Sequence, residues 1–94
     1  MVCNAGVLLN ERVETSEGYE TTFACHLLNG SYLLSTLLIP QLKAAGNEAR
    51  TVFVSSGGMY NSKFPSWEKA TSTGKFENKY DGQMAYVYAK RGQV

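Results

Sequence analysis

Tyr86 and Lys90 stand four positions apart near the C-terminal end of a 94-residue chain. On a helix that spacing puts the phenol and the ammonium one turn apart on the same face. A cation beside a phenol favours the phenolate and eases proton exchange at neutral pH, so the pair is a candidate acid/base couple. Further hydroxyls stand upstream in Ser55-Ser56-Gly57-Gly58. For these groups to act together, the elements that carry them must meet at one edge of a fold.

The chain reads as strand, helix, strand, helix. Met1 to Cys3 is the end of a strand, closed by Asn4-Ala5-Gly6, where Asn and Gly tolerate the φ > 0 that tight turns use. Val7 to Thr15 is a loop or a short helix. A long helix is expected from 16 to 45, with Thr15 or Ser16 as N-cap, Glu17 in the first turn and Gly46 just beyond the end. At helical spacing Thr22, His26, Asn29 and Thr36 fall on one narrow polar stripe, while Tyr19, Phe23, Leu27, Leu28, Tyr32, Leu34 and Leu37 occupy much of the rest. A helix apolar that far round needs cover on more than one side. Pro40 predicts a kink near its end.

Arg50 to Ser55 is rich in β-branched and aromatic residues and reads as a buried parallel strand ending in the Ser55–Gly58 turn. Residues 59–80 are polar and irregular. Asp81 then caps a last helix, 82–94, that carries Tyr86 and Lys90. Parallel strands joined by a helical crossover make an α/β layered unit, and in open sheets of that kind ligands bind beyond the carboxyl ends of the strands. Asn4-Ala5-Gly6, Ser55-Ser56 and Tyr86 all belong to that edge.

Composition narrows the function classes. The chain is 44% hydrophobic and 18% charged with a net charge of +1, and its basic residues are scattered, so neither nucleic acid nor an acidic membrane surface is an expected partner. The longest apolar stretch, Leu27 to Leu42, is interrupted by Asn29, Gly30, Ser31, Pro40 and Gln41, too often for a membrane span. Met1 to Gly6 has neither the basic nor the apolar region of a secretory signal, and Cys3 and Cys25 lack metal-ligand spacing. The expectation is a cytoplasmic protein with reduced cysteines and no metal site.

Asn4-Ala5-Gly6 after one strand, Val54-Ser55-Ser56-Gly57 after the next and Tyr86-x-x-x-Lys90 in the following helix resemble the second half of a short-chain dehydrogenase/reductase. The resemblance covers all 94 residues. It implies a partial Rossmann-like parallel sheet in a single domain, with an inserted loop at 59–80, and hydride transfer between NADP or NAD, NADP being preferred, and a small carbonyl or alcohol. Tyr86 would be the general acid or base, Lys90 its cationic partner and a ligand of the nicotinamide ribose, and Ser56 the hydroxyl that orients the substrate oxygen. Ser55 would be structural. Asn4, Ala5 and Gly6 would line the cofactor side together with Tyr86 and Lys90.

The chain also departs from the family pattern. The family has an Asn where Cys3 stands, and an active-site Asn three positions before the glycine that matches Gly30, where this chain has Leu27. A one-residue bulge could bring His26 or Asn29 into that role instead; otherwise His26 is a surface histidine. Trp67, Phe64 and Phe76 in the inserted loop either pack over a substrate or anchor the loop. No glycine-rich G-x-x-x-G-x-G turn for the cofactor phosphates is present. The chain is therefore expected to be an internal piece of the fold, marginally stable and a poor cofactor binder alone. Two other readings are a nucleotide-sugar epimerase or dehydratase on the same scaffold, and a non-catalytic module that dimerises through helices 16–45 and 82–94.

Overall fold

In the computed structural model, which describes residues 1–73 and 80–94, two short strands pair in parallel. They are β1 (Val2–Cys3) and β2 (Val52–Phe53), with Val2 opposite Val52 and Cys3 opposite Phe53. Val52 N–H donates to the Met1 carbonyl at 2.9 Å and Val54 N–H to the Cys3 carbonyl at 3.1 Å. The parallel pairing expected of Met1–Cys3 and Arg50–Ser55 is present, but β2 is not buried: Val52 and Phe53 are 48% and 40% exposed. A strand with one neighbour leaves its other edge bare, and only Cys3 of the pair is buried.

The long helix begins at 21, not 16. Gly18 takes φ +84, which a helix cannot use, and residues 13–21 close instead as a small antiparallel loop bridged between Glu14 and Glu20. Thr21 N–H donates to the Val13 carbonyl and Thr15 N–H to that of Tyr19, so Glu17 lies in the connecting turn. The cap is Glu20. Its carboxylate accepts from the N–H groups of Thr22 at 2.8 Å and Phe23 at 2.7 Å while 1% exposed, and the Tyr80 hydroxyl donates to it at 3.1 Å. A buried carboxylate is tolerable because all three bonds come from donors, two at a helix N-terminus.

From this cap the helix runs through α1 (Thr21–Phe23), a ten-residue π-helical segment (Ala24–Leu33) and α2 (Leu34–Leu37). It turns at Leu38 into α3 (Ile39–Ala44). The break falls two residues before Pro40, which lacks an N–H and whose ring would strike the carbonyl one turn back. Gly46–Glu48 and Gly57–Asn61 are 3₁₀ turns, and α4 (Trp67–Ala70) is a short helix inside the stretch expected to be irregular. The expected role for Phe76 lies outside the described residues.

The last helix, α5 (Gly82–Gly92), is capped as expected by Asp81, whose side chain accepts from Met84 N–H at 3.1 Å. It is the centre of the packing. Val87 and Tyr88 join Ala70 in a small core with Phe64 and Met84 against it, and Ala85 and Ala89 are 2% and 1% exposed. Two glycines record how close the neighbours come. A Cβ on Gly82 would overlap the Leu9 carbonyl, and one on Gly92 would lie 2.5 Å from Leu27 Cδ2. The other face of the long helix is bare, with Tyr32 66% and Leu37 62% exposed.

Glu20→Ala removes a cap and two buried hydrogen bonds at once, with an expected loss of about 1–3 kcal/mol. Glu20→Gln, which keeps one carbonyl acceptor, should lose less. Urea titration of the helical circular dichroism compares the two, and equal midpoints for native chain and Glu20→Ala would refute the cap.

Candidate active site

Beyond the carboxyl ends of the two strands lies a cleft of about 430 Å³. Asn4 and Gly6 reach it from the loop after β1, Val54 and Ser55 from the end of β2, and Tyr86 and Lys90 from α5. The π-helical segment contributes His26.

Lys90 is buried, 3% exposed, and its Nζ donates to the Val54 carbonyl at 2.6 Å. Among the described residues no carboxylate pairs with it. A buried ammonium with one protein acceptor keeps two further N–H donors for a ligand. Its Nζ lies 5.8 Å from the Tyr86 ring centroid, so the helical spacing read from the sequence does bring cation and phenol together. Tyr86 is half-buried at the cleft, whereas Tyr88, two positions on, is buried in the core under Lys69 Nζ.

The two serines divide differently from the expectation. Ser55 lines the cleft, and its hydroxyl donates toward the Lys90 carbonyl at 3.3 Å and Met59 Sδ at 3.2 Å. The Ser56 hydroxyl caps the 3₁₀ turn, accepting from Gly58 N–H at 3.2 Å, and does not line the cleft. Its Oγ lies 3.5 Å and the Tyr86 ring 4.0 Å from where a Gly58 Cβ would stand, so Ser56 sits just outside the wall. Asn4, Ala5 and Gly6 are exposed, and Ala5 does not line the cleft.

His26 is not on the surface. It is 1% exposed, and its ring meets that of Tyr86 edge to face, with centroids 5.1 Å apart and planes at 86°. Nε2 lies 2.7 Å from the Val7 carbonyl oxygen and 3.1 Å from the Val7 nitrogen, and Nδ1 is buried without a partner. Burial, first, and the Lys90 charge push its pKa below the ordinary value, against the Val7 hydrogen bond and Glu20, which pull it up. The polar stripe of Thr22 and His26 is therefore the inward face of the helix at this end, while Asn29 and Thr36 are exposed.

The π geometry explains which residue enters the cleft. It takes one more residue per hydrogen-bonded turn than an α-helix, so faces shift along the sequence by one position. Leu27 is carried round to pack on Gly92, and His26, four positions before Gly30, takes the inner place. Gly30 serves that geometry, since a Cβ there would overlap the Cys25 carbonyl. Gly6 serves His26 in turn, because a Cβ on Gly6 would overlap the imidazole. The sequence signal for His26 was its distance from Gly30. Phe64 and Trp67 meet edge to face at 4.9 Å, and Trp67 meets Phe23 edge to face at 6.4 Å, all away from the cleft, so they anchor the 59–73 stretch.

The assembly is thus an α/β unit with a tyrosine, a buried lysine and a buried histidine at the carboxyl edge of parallel strands. Over all 94 residues the chain is 38% identical to dehydrogenase/reductase SDR family member 12 of Bos taurus and, at the same identity, of Homo sapiens. It is 32% identical over the same length to retinol dehydrogenase 12 of Homo sapiens. It spans 28% of the length of each of these relatives. No family model matches the chain, and no solved structure matches it. The chain is homologous along its whole length to these short-chain dehydrogenase/reductases.

Two measurements check the His26 environment. Gly6→Ala should destabilise the fold by about 1–3 kcal/mol through overpacking, and His26→Ala in the same chain should recover part of that loss. A double variant no more stable than Gly6→Ala alone would show that the two sites do not touch. A histidine whose folded pKa is depressed contributes stability above its unfolded value, about 6.5, and loses it as pH falls below that. The urea midpoint should therefore drop between pH 7 and pH 5, and His26→Gln should flatten the drop; an unchanged slope in the variant would refute it.

Proposed function

We propose that this chain carries the proton-transfer part of an NAD(P)-dependent oxidoreductase with a Rossmann-like fold, acting on a carbonyl or alcohol. The observation that supports it most is the placing of Tyr86 and buried Lys90 in one cleft beyond the ends of parallel strands. The relatives named dehydrogenase or reductase make the same reading of the chemistry.

The cleft suits the nicotinamide end of such a cofactor. Lys90 has two spare donors beside a phenol and the backbone of the Asn4–Gly6 turn, and about 430 Å³ is the size of a small-ligand pocket. The sequence supplies no glycine-rich turn for the phosphates. When bound, the cofactor supplies or accepts the hydride.

The protein groups then handle the proton. In reduction Tyr86 Oη gives its proton to the carbonyl oxygen as negative charge develops there, and in oxidation the phenolate takes the alcohol proton. Lys90, fixed by Val54, holds a positive charge beside the phenol in both directions, and its remaining N–H groups would bond the ribose hydroxyls of a bound cofactor. Ser56 Oγ accepts from Gly58 N–H and keeps its own proton to donate, so it can orient the substrate oxygen from the cleft rim. Ser55, which lines the cleft directly, is its competitor for that task. Asn4 and Gly6, which line the cleft, would form the cofactor wall, with Ala5 between them in the same turn.

A second reading, association through the long helix, is favoured by the bare Tyr32 and Leu37. It predicts a mass above that of one chain in sedimentation, unaffected by Tyr86→Phe. For the enzymatic reading, Tyr86→Phe should cut carbonyl-dependent NADPH oxidation by roughly 10²–10⁴-fold, in the chain or in a longer protein carrying it. Undiminished turnover in that variant would remove Tyr86 from the reaction.

A further inference from the structure

Two ends of His26 are held by different parts of the protein. Its ring is fixed from the loop side by Val7 and from α5 by the Tyr86 ring. Its carbonyl accepts from the Ser31 hydroxyl at 2.6 Å and from Gln93 Nε2 at 3.0 Å, and the same Gln93 amide donates to Ser31 Oγ at 2.8 Å. The π-helical segment is thus clamped by the residue that caps the end of α5, 67 positions away in sequence. A side chain that only filled space would not need this much fixing of its backbone.

We propose that neutral His26 is a positioning residue for Tyr86: by bonding Val7 and meeting the phenol ring edge-on, it sets the angle at which Tyr86 enters the cleft. This rests on the reading of Tyr86 as the proton-transfer group.

The geometry selects the neutral form. The shorter contact has Nε2–H donating to the Val7 carbonyl, which leaves Nδ1 as a bare nitrogen in a buried place without a donor. Protonation would add an N–H at Nδ1 that finds no acceptor, and a second positive charge near Lys90. Among the described residues, the titratable groups that face the imidazole are Lys90 and Tyr86 from α5 and Glu20 from the cap of its own helix; the Asn4–Leu8 loop brings none. Of these only Glu20 favours the charged ring, and it is already bonded to two backbone N–H groups and Tyr80. Once charged, the ring has reason to leave its place against Gly6, and the Tyr86 ring loses the edge it rests on.

His26 is the single histidine of the chain, so its ring proton signals identify themselves. A pH titration of the isotopically labelled chain by NMR follows that ring, the Val7 amide and the Tyr86 ring, the last assigned by its loss in Tyr86→Phe. The expected result is one shared midpoint for all three, below that of a free histidine. In His26→Phe the Tyr86 ring should keep its edge-to-face neighbour and lose the titration between pH 5 and 7. Tyr86 signals that stay flat while His26 titrates overturn the proposal, and the native chain alone suffices for that result if the variant does not fold.

Where turnover is measurable, the acid limb of kcat/KM should follow the same midpoint and vanish in His26→Phe; an unchanged limb also overturns the proposal. Failure of the catalytic reading looks different. Tyr86→Phe would then keep full turnover, whereas the shared midpoint of His26 and Tyr86 would persist.

Discussion

The hydrogen bond from Lys90 Nζ to the Val54 carbonyl ties the rest of this structure together. An ammonium that is 3% exposed is costly to hold without water, and one short charge-assisted bond offsets part of that cost. The bond has a geometric consequence. It fixes the first residue after β2 against the last turn of α5, and the end of β2 is also where β1 lies alongside in parallel. Loop, strand end and helix face therefore converge on one cation. Replace it with an apolar group and the core of Val87, Tyr88 and Ala70 would still pack, but the end of β2 would lose its charge-assisted tie to α5 and keep the weaker bond from the Ser55 hydroxyl to the residue 90 carbonyl.

The π-helical segment carries the second constraint. Ten residues of the less common hydrogen-bonding pattern are unfavourable by themselves, because the turn is wider and its backbone packs less closely. Here the wide turn is sustained by what surrounds it. Gly30 lets the Cys25 carbonyl approach, the Ser31 hydroxyl and the Gln93 amide take up the His26 carbonyl, and Gly92 lets Leu27 and α5 close on each other. Each of these residues is small or polar where an ordinary amphipathic helix would be apolar and large. Such local exceptions, clustered on one segment and all supporting one inward side chain, are what a site looks like when its geometry is held at some expense of stability.

Much of the site was legible from residue types and spacing. Asp81 as cap, Tyr86 and Lys90 on one face, and the parallel pairing of the two strands follow from capping chemistry, from i, i+4 geometry and from the β-branched run. The departures have separate causes. His26 is a surface residue only on a regular α-helix, and the π-helical segment turns it inward; the helix starts at 21, not 16, because Gly18 uses left-handed φ and the cap is the side chain of Glu20, a residue type seldom read as one. The run at Val52 has the composition of a buried strand, yet Val52 and Phe53 are exposed. Burial, unlike pairing, depends on neighbours that the run itself does not name.

What is buried and what is bare fall on opposite sides of the chemistry. Lys90, His26 and the carboxylate of Glu20, the groups most expensive to desolvate, lie within the unit, while Val2, Val52, Leu37 and Tyr32, the groups that gain most from burial, lie at its surface. An unguided collapse would sort them the other way. The inversion is sustained because each of these polar groups has a hydrogen bond or an aromatic neighbour: Lys90 on the Val54 carbonyl, His26 against the Tyr86 ring, and Glu20 on the N–H groups at the start of its own helix. The bare sheet edge and the outer face of the long helix are where any additional strand or helix would add stability without disturbing the Tyr86 cleft.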